Sequence, residues 1–126
     1  MKRITLLAAS AALMFAFGTG SAFAEGDAVA GKKVFNKCKS CHGFDVGKKK
    51  IGPHLNGVVG REAGTVEGFK YSKAMLGSGL TWDEETLDKF LIKPKALVKG
   101  TKMSLSGIKK EEDRANVVAY IESMSD

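Results

Sequence analysis

Apolar positions along this chain follow three different patterns. Behind the basic pair Lys2-Arg3, residues Ile4 to Phe17 form an uncharged, mostly apolar run of 14 residues. That run is too short to span a bilayer comfortably. It gives way to small residues ending in Ala22-Phe23-Ala24, the A-x-A form at which a signal peptidase cuts. The order basic, apolar, small predicts a signal peptide over residues 1–24, rather than a buried helix or a retained anchor. Residues 25–126 then form the mature domain.

Within that domain four stretches carry helical signals. The first runs from Asp27, a natural N-cap, to Lys37 and includes Val34 and Phe35. A short second piece covers Ser72–Leu76. The third begins at Thr81, whose hydroxyl can cap while Glu84 completes a T-x-x-E box. It ends by Lys93, because Pro94 disfavours helix in the residue before it. The fourth runs from Lys110 to Ser123, with Val117, Tyr120, Ile121 and Met124 at i, i+3, i+4, i+7. Acidic residues crowd the first turns of the last two helices, where the helix dipole favours them. No stretch alternates as a strand, and Gly43 to Gly79 reads as glycine-rich loop. The third pattern is therefore a thin one: an all-α domain whose loops are too long to pack on themselves. Gly31 is expected to let the first and last helices cross closely, near Val117 and Tyr120.

Composition sharpens this picture. With 126 residues the chain holds one small domain, and 44% apolar residues exclude a disordered tail. Export would place the two cysteines in an oxidising compartment, where a disulfide is the simple expectation. Their spacing argues against it. Cys38-Lys39-Ser40-Cys41-His42 is C-x-x-C-H, the attachment signature of c-type haem. One helical turn presents both thiols along one porphyrin edge, where they add to the two vinyl groups. The adjacent His42 then offers an imidazole nitrogen to the iron. A dithiol redox pair needs no following histidine and sits in a βαβ context that is absent here. A zinc site would need His54, but the His42–His54 gap is far from the usual H-x3–5-H. A long loop region wrapped on a large apolar cofactor also supplies the missing core.

The sixth iron position decides function. A vacant site would bind gases or peroxide, as in a haem enzyme or sensor. A thioether would close the site and favour the reduced state. Met103 lies in the loop Gly100-Thr101-Lys102-Met103, whereas Met75 and Met124 fall in helical stretches and read as packing. Met103 is the expected ligand, with His54 as the alternative.

These residues bring out a resemblance. The C-x-x-C-H motif with the downstream Gly100–Met103 loop resembles a class I c-type cytochrome, mitochondrial-like and similar to bacterial cytochrome c2. The likeness extends through Ile51-Gly52-Pro53-His54-Leu55, Gly57-Val58-Val59-Gly60-Arg61, Gly68-Phe69-Lys70-Tyr71, Leu80-Thr81-Trp82 and Gly107-Ile108-Lys109-Lys110. The resemblance implies a small cytochrome c fold, with N- and C-terminal helices crossing and loops wrapping one covalent haem c. It implies His42 and Met103 as axial ligands, Cys38 and Cys41 as thioether sites, and the Pro53 carbonyl as the partner of His42. It also implies that Tyr71 and Trp82 donate to a haem propionate with Arg61 nearby, and that Thr101 closes the Met103 loop. A buried carboxylate needs such donors or cations. The chain departs from the mitochondrial pattern at Phe90, which lacks a hydroxyl, at Leu105, and at Met75.

Charge then points to partners. The net +6 falls to +4 once Lys2 and Arg3 are removed with the signal peptide. The segment from Lys32 to Lys50 holds seven lysines against Asp45 alone, and that from Lys93 to Lys110 holds six lysines and no acid. The rest of the mature chain is acidic on balance. One basic segment carries His42 and the other Met103, so the positive charge should gather where the two loops meet one iron. Lys37, Lys50, Lys95, Lys102 and Lys109 are the expected docking ring for an acidic protein surface. No aromatic-lined basic groove for nucleic acid is evident. The expectation is a monomeric, periplasmic, soluble one-electron carrier rather than an enzyme. By resemblance it makes transient contact with membrane complexes. A cytochrome bc-type complex would be the donor, and a terminal oxidase or photosynthetic reaction centre the acceptor.

Overall fold

The computed structural model describes residues 26–48 and 50–126. The expected signal peptide, residues 1–24, lies outside the described residues. Asp27 caps the first helix as its side chain accepts from the Val29 and Ala30 amides. That helix, α1, covers Ala28–Val34 and tightens into a 3-10 turn over Phe35–Lys37. Three more helices, α2 (Lys73–Leu76), α3 (Glu84–Ile92) and α4 (Pro94–Leu97), precede the longest, α5 (Glu111–Ser123). Among the described residues the only extended pairing is an isolated bridge between Glu62 and Thr81. None of the described helices is long and apolar enough to cross a membrane.

Thr81 therefore does not cap α3 as its sequence suggested. The cap is Asp83, whose carboxylate accepts from the Thr86 amide at 2.8 Å. The bridge to Glu62 holds Thr81 extended, two residues too early for the helix. Hydrogen bonds from the Thr86 amide and hydroxyl hold the Asp83 carboxyl below its ordinary range. Pro94 ends α3 as expected but also starts α4, because its fixed φ suits a first helical position.

Helices α1 and α5 pack face to face. A Cβ at Gly31 would overlap the Asn116 carbonyl and come within 2.9 Å of Tyr120 Cβ. The crossing thus centres on Asn116 and Tyr120, one residue from the expected Val117. Asn116 is itself buried, and its side-chain oxygen accepts from the Asp27 amide at 2.8 Å. This satisfies the polar group that burial would otherwise penalise.

The buried stripe of α5 is Arg114, Val117, Val118 and Ile121, an i, i+3, i+4, i+7 set that opens with a charge. Met124 does not belong to it. It is the C-cap residue and is 43% exposed, so it fills no core. Arg114 is buried because its polar atoms are satisfied. Nε donates to Asp88 at 2.6 Å, and one terminal nitrogen donates to the carbonyls of Ile108 and Lys109 at 2.9 Å each. It thereby pins α3 and the 108–109 loop to α5. Arg114→Ala leaves Asp88 and two carbonyls without their donor. The expected cost is roughly 2–3 kcal/mol, read as a lower denaturant midpoint in urea unfolding.

The rest of the core is Phe35, Cys38, Val58, Trp82, Leu87, Phe90, Leu91, Val98 and Ile108. Phe44 and Tyr120 close one side of it, with ring centroids 5.3 and 5.2 Å from that of Phe35.

Candidate haem site

The C-x-x-C-H segment leaves α1 as a continued turn. The Cys38 amide donates to the Phe35 carbonyl at 2.8 Å, and the Cys41 and His42 amides donate back to the Cys38 carbonyl at 3.1 and 2.9 Å. One turn therefore carries both cysteines, and both thiols are free. Cys38 is buried, and burial with Cys41 alongside pushes its thiol pKa up, against a smaller pull from Lys37.

His42 is fixed by two neighbours. Its Nδ1 lies 2.8 Å from the Pro53 carbonyl, which calls for a proton on that nitrogen and leaves Nε2 as the lone-pair donor. Gly52 lies under the ring: a Cβ there would stand 2.8 Å from Nδ1 and 3.0 Å from Nε2. Burial lowers the His42 pKa; the Pro53 bond opposes that shift, and the Arg61 and Lys50 charges reinforce it. The shift favours the neutral imidazole, the state that ligates a metal.

Met103 is half-buried and packs on the same apolar cluster that contains Cys38. Its amide donates to Thr101 Oγ1 at 3.3 Å, a local tie within the loop. Met75 packs on the same cluster, as does Leu105, while Phe90 is buried with its ring 4.8 Å from Trp82. His54 is half-buried with Nδ1 fully covered and unpartnered, and burial lowers its pKa, aided by Arg61.

Arg61, Tyr71 and Trp82 come together. The Trp82 amide donates to the Arg61 carbonyl at 2.8 Å, and the Gly60 amide to the Trp82 carbonyl at 2.7 Å. Arg61 is half-buried; burial lowers its pKa, and nearby Tyr71 partly offsets that shift. The Tyr71 hydroxyl accepts from the Val66 amide at 3.0 Å, so its own proton remains available to donate.

All five candidate docking lysines, Lys37, Lys50, Lys95, Lys102 and Lys109, are exposed, and among the described residues none forms an ion pair. Two reach backbone carbonyls instead, Lys50 that of Lys39 at 3.2 Å and Lys102 that of Lys70 at 3.4 Å. Lys48, by contrast, is paired with Asp45 at 3.2 Å. Two features of the site escaped the sequence reading. Gly52 supports the His42 ring, and Asn56 holds the loop between His42 and Arg61. A glycine or an asparagine in a loop carries no sign of its distant contact.

Comparison with known proteins shows the family. The family model for cytochrome c matches residues 28–125. The chain belongs to the cytochrome c family. It is 50% identical over 122 residues to cytochrome c2 of Rhodomicrobium vannielii, covering 96% of this chain and 95% of that protein. It is 46% identical over 122 residues to cytochrome c-554 of Methylosinus trichosporium, covering 96% and 92% respectively. Among solved structures, cytochrome cH from Methylobacterium extorquens superposes with a TM-score of 0.73 at 43% identity, over 78% of this chain and 99% of that one.

The chain is accordingly an electron-transfer protein with redox partners, not an enzyme, and carries one covalent haem c. Its residues fit that group. Two free thiols sit on one turn, and next to them a histidine is held with one ring nitrogen spoken for.

Proposed function

We propose that residues 1–24 are a cleaved signal peptide and that residues 25–126 work in the periplasm as a one-electron carrier. Its axial ligands are His42 and Met103. The leader reading is supported by where the family match begins, at residue 28, just past Ala24. The observation that carries the ligand reading is the His42–Pro53 bond, which leaves one nitrogen, Nε2, for iron. Cys38 and Cys41 form the thioethers.

When bound, haem supplies a ferric–ferrous couple. The chain's own residues do the rest. The Pro53 carbonyl holds His42 in one tautomer and one orientation. Thr101 restrains the loop that carries Met103. Arg61, Tyr71 and Trp82 offer a cation and hydroxyl and indole donors to a propionate. The apolar cluster excludes water, so little solvent must reorganise when the charge changes. Electrons come from a cytochrome bc-type complex and pass to a terminal oxidase or a photosynthetic reaction centre.

The ferric holoprotein is expected to show the weak near-infrared band of sulfur-to-iron ligation and to resist carbon monoxide at neutral pH when reduced. A missing band with ready carbon monoxide binding would instead indicate a haem enzyme or sensor. Docking through Lys37, Lys50, Lys95, Lys102 and Lys109 predicts that second-order electron-transfer rates fall as ionic strength rises. Replacing Lys95 and Lys102 together by glutamine should flatten that dependence while leaving the absorption spectrum unchanged. Stopped-flow kinetics against a membrane preparation containing the donor complex measures both.

A further inference from the structure

We propose that Asn56 is a positioning residue: it ties the chain beyond α5 to the loop that aims Arg61, and so tunes the electrostatics of the haem site. The tuning half rests on the reading that Arg61 faces the cofactor.

The Asn56 carboxamide is used at both ends. Its Nδ2 donates to the Phe44 carbonyl at 3.2 Å and to the Asp126 carboxylate at 3.1 Å, while its Oδ1 accepts from the Asp126 amide at 3.1 Å. Beside it, the Gly57 amide donates to Ser125 Oγ at 2.9 Å, and that hydroxyl donates to the Ile121 carbonyl at 3.0 Å. The chain after α5 is thereby clasped onto residues 56–57. Phe44, on the other limb of the same loop, stacks on Phe35 and meets Tyr120 edge-on. The clasp is therefore anchored to the packed α1–α5 pair.

The backbone that the clasp holds is the backbone that orients Arg61. One terminal nitrogen of its guanidinium donates to the Asn56 carbonyl at 3.3 Å and the other to the His54 carbonyl at 3.1 Å. Among the described residues no carboxylate pairs with Arg61. Its direction is set by two neutral carbonyls, and these are only as firm as the segment that carries them. A cation held toward the cofactor stabilises the more electron-rich, reduced form, so loosening the segment lowers the midpoint potential.

The test uses the haem-loaded protein, with amide hydrogen exchange at Gly57 and the midpoint potential as two independent readouts. Asn56→Ala is expected to speed Gly57 exchange at least tenfold and to lower the potential. Asn56→Asp, which sets a carboxylate against that of Asp126, should do the same. Asp126→Asn keeps an acceptor for Nδ2 and should leave both readouts at their original values. Arg61→Gln should lower the potential, and adding Asn56→Ala to it should lower it no further. An Asn56→Ala protein that exchanges faster at an unchanged potential overturns the proposal. So does a potential drop of equal size with and without Arg61. If Arg61→Gln alone leaves the potential unmoved while Gly57 exchange still rises in Asn56→Ala, the fault lies in placing Arg61 at the cofactor, and the tuning role falls with it.

Discussion

Met103→Ala is expected to abolish the near-infrared sulfur-to-iron band, to open the reduced protein to carbon monoxide and to raise peroxidase activity. The midpoint potential falls by about 0.1–0.2 V or more, within the span of roughly 0.8 V that axial ligands cover. The reasoning starts from the loop. Met103 sits on the apolar cluster that contains Cys38, and Thr101 restrains its backbone. A shortened side chain at that position has no donor atom to offer. His42 should keep its place, because its partners Pro53 and Gly52 lie on a different loop. His54→Ala is the control and should leave the band intact. If His54→Ala opened the iron to carbon monoxide and Met103→Ala did not, the sixth ligand would be His54. Absorption spectra and redox titration of the two variants decide the matter.

Gly31→Val is expected to cost roughly 3 kcal/mol or more of folding stability. Two effects compete at this position. Glycine is a poor helix former, so any replacement gains up to about 1 kcal/mol of propensity. Against that, a Cβ at residue 31 would overlap the Asn116 carbonyl, and neither helix backbone can give without parting from the other. Separation of α1 from α5 would expose Val117 and Ile121, whose burial is worth about 2 kcal/mol each. The packing loss therefore outweighs the propensity gain. Gly31→Ala should also destabilise, by less. Guanidinium unfolding measures both; the midpoint should fall with a nearly unchanged slope, since one side chain changes the surface exposed on unfolding very little. A stabilised Gly31→Ala would mean that the helices do not touch there. Haem should remain attached in either variant, because the thioethers lie outside the crossing.

Much of this protein is legible in one dimension. The attachment motif is five consecutive residues, and its geometry needs only one turn of backbone, so spacing alone announces it. The start of α1 followed from Asp27, and the end of α3 from Pro94, because capping and ring sterics act over three or four residues. The start of α3 was misjudged for the same kind of reason. Thr81 and Asp83 are both acceptable caps, and the choice was made by the bridge from Thr81 to Glu62, far away in sequence. The stripe of α5 was misplaced toward Met124 because Arg114 breaks the apolar pattern. Asp88, 26 residues away, and the carbonyls of Ile108 and Lys109 together make that arginine a core residue.

What the sequence determined by itself is the chemistry on offer: the haem-attachment motif, the histidine beside it proposed as a ligand, and the set of methionines available for the sixth position. It also determined where charge accumulates along the chain. Those follow from residue type and local spacing. What only the tertiary structure decided is how the parts are held. The Pro53 carbonyl meets His42, Gly52 lies beneath the ring, the Trp82 amide bonds to the Arg61 carbonyl, and Asn56 fastens the segment after α5 to the Arg61 loop. Each joins residues 10 or more positions apart in the chain. Such contacts depend on loop conformations that cost entropy and are chosen by the packing of the whole domain, not by the residues at either end.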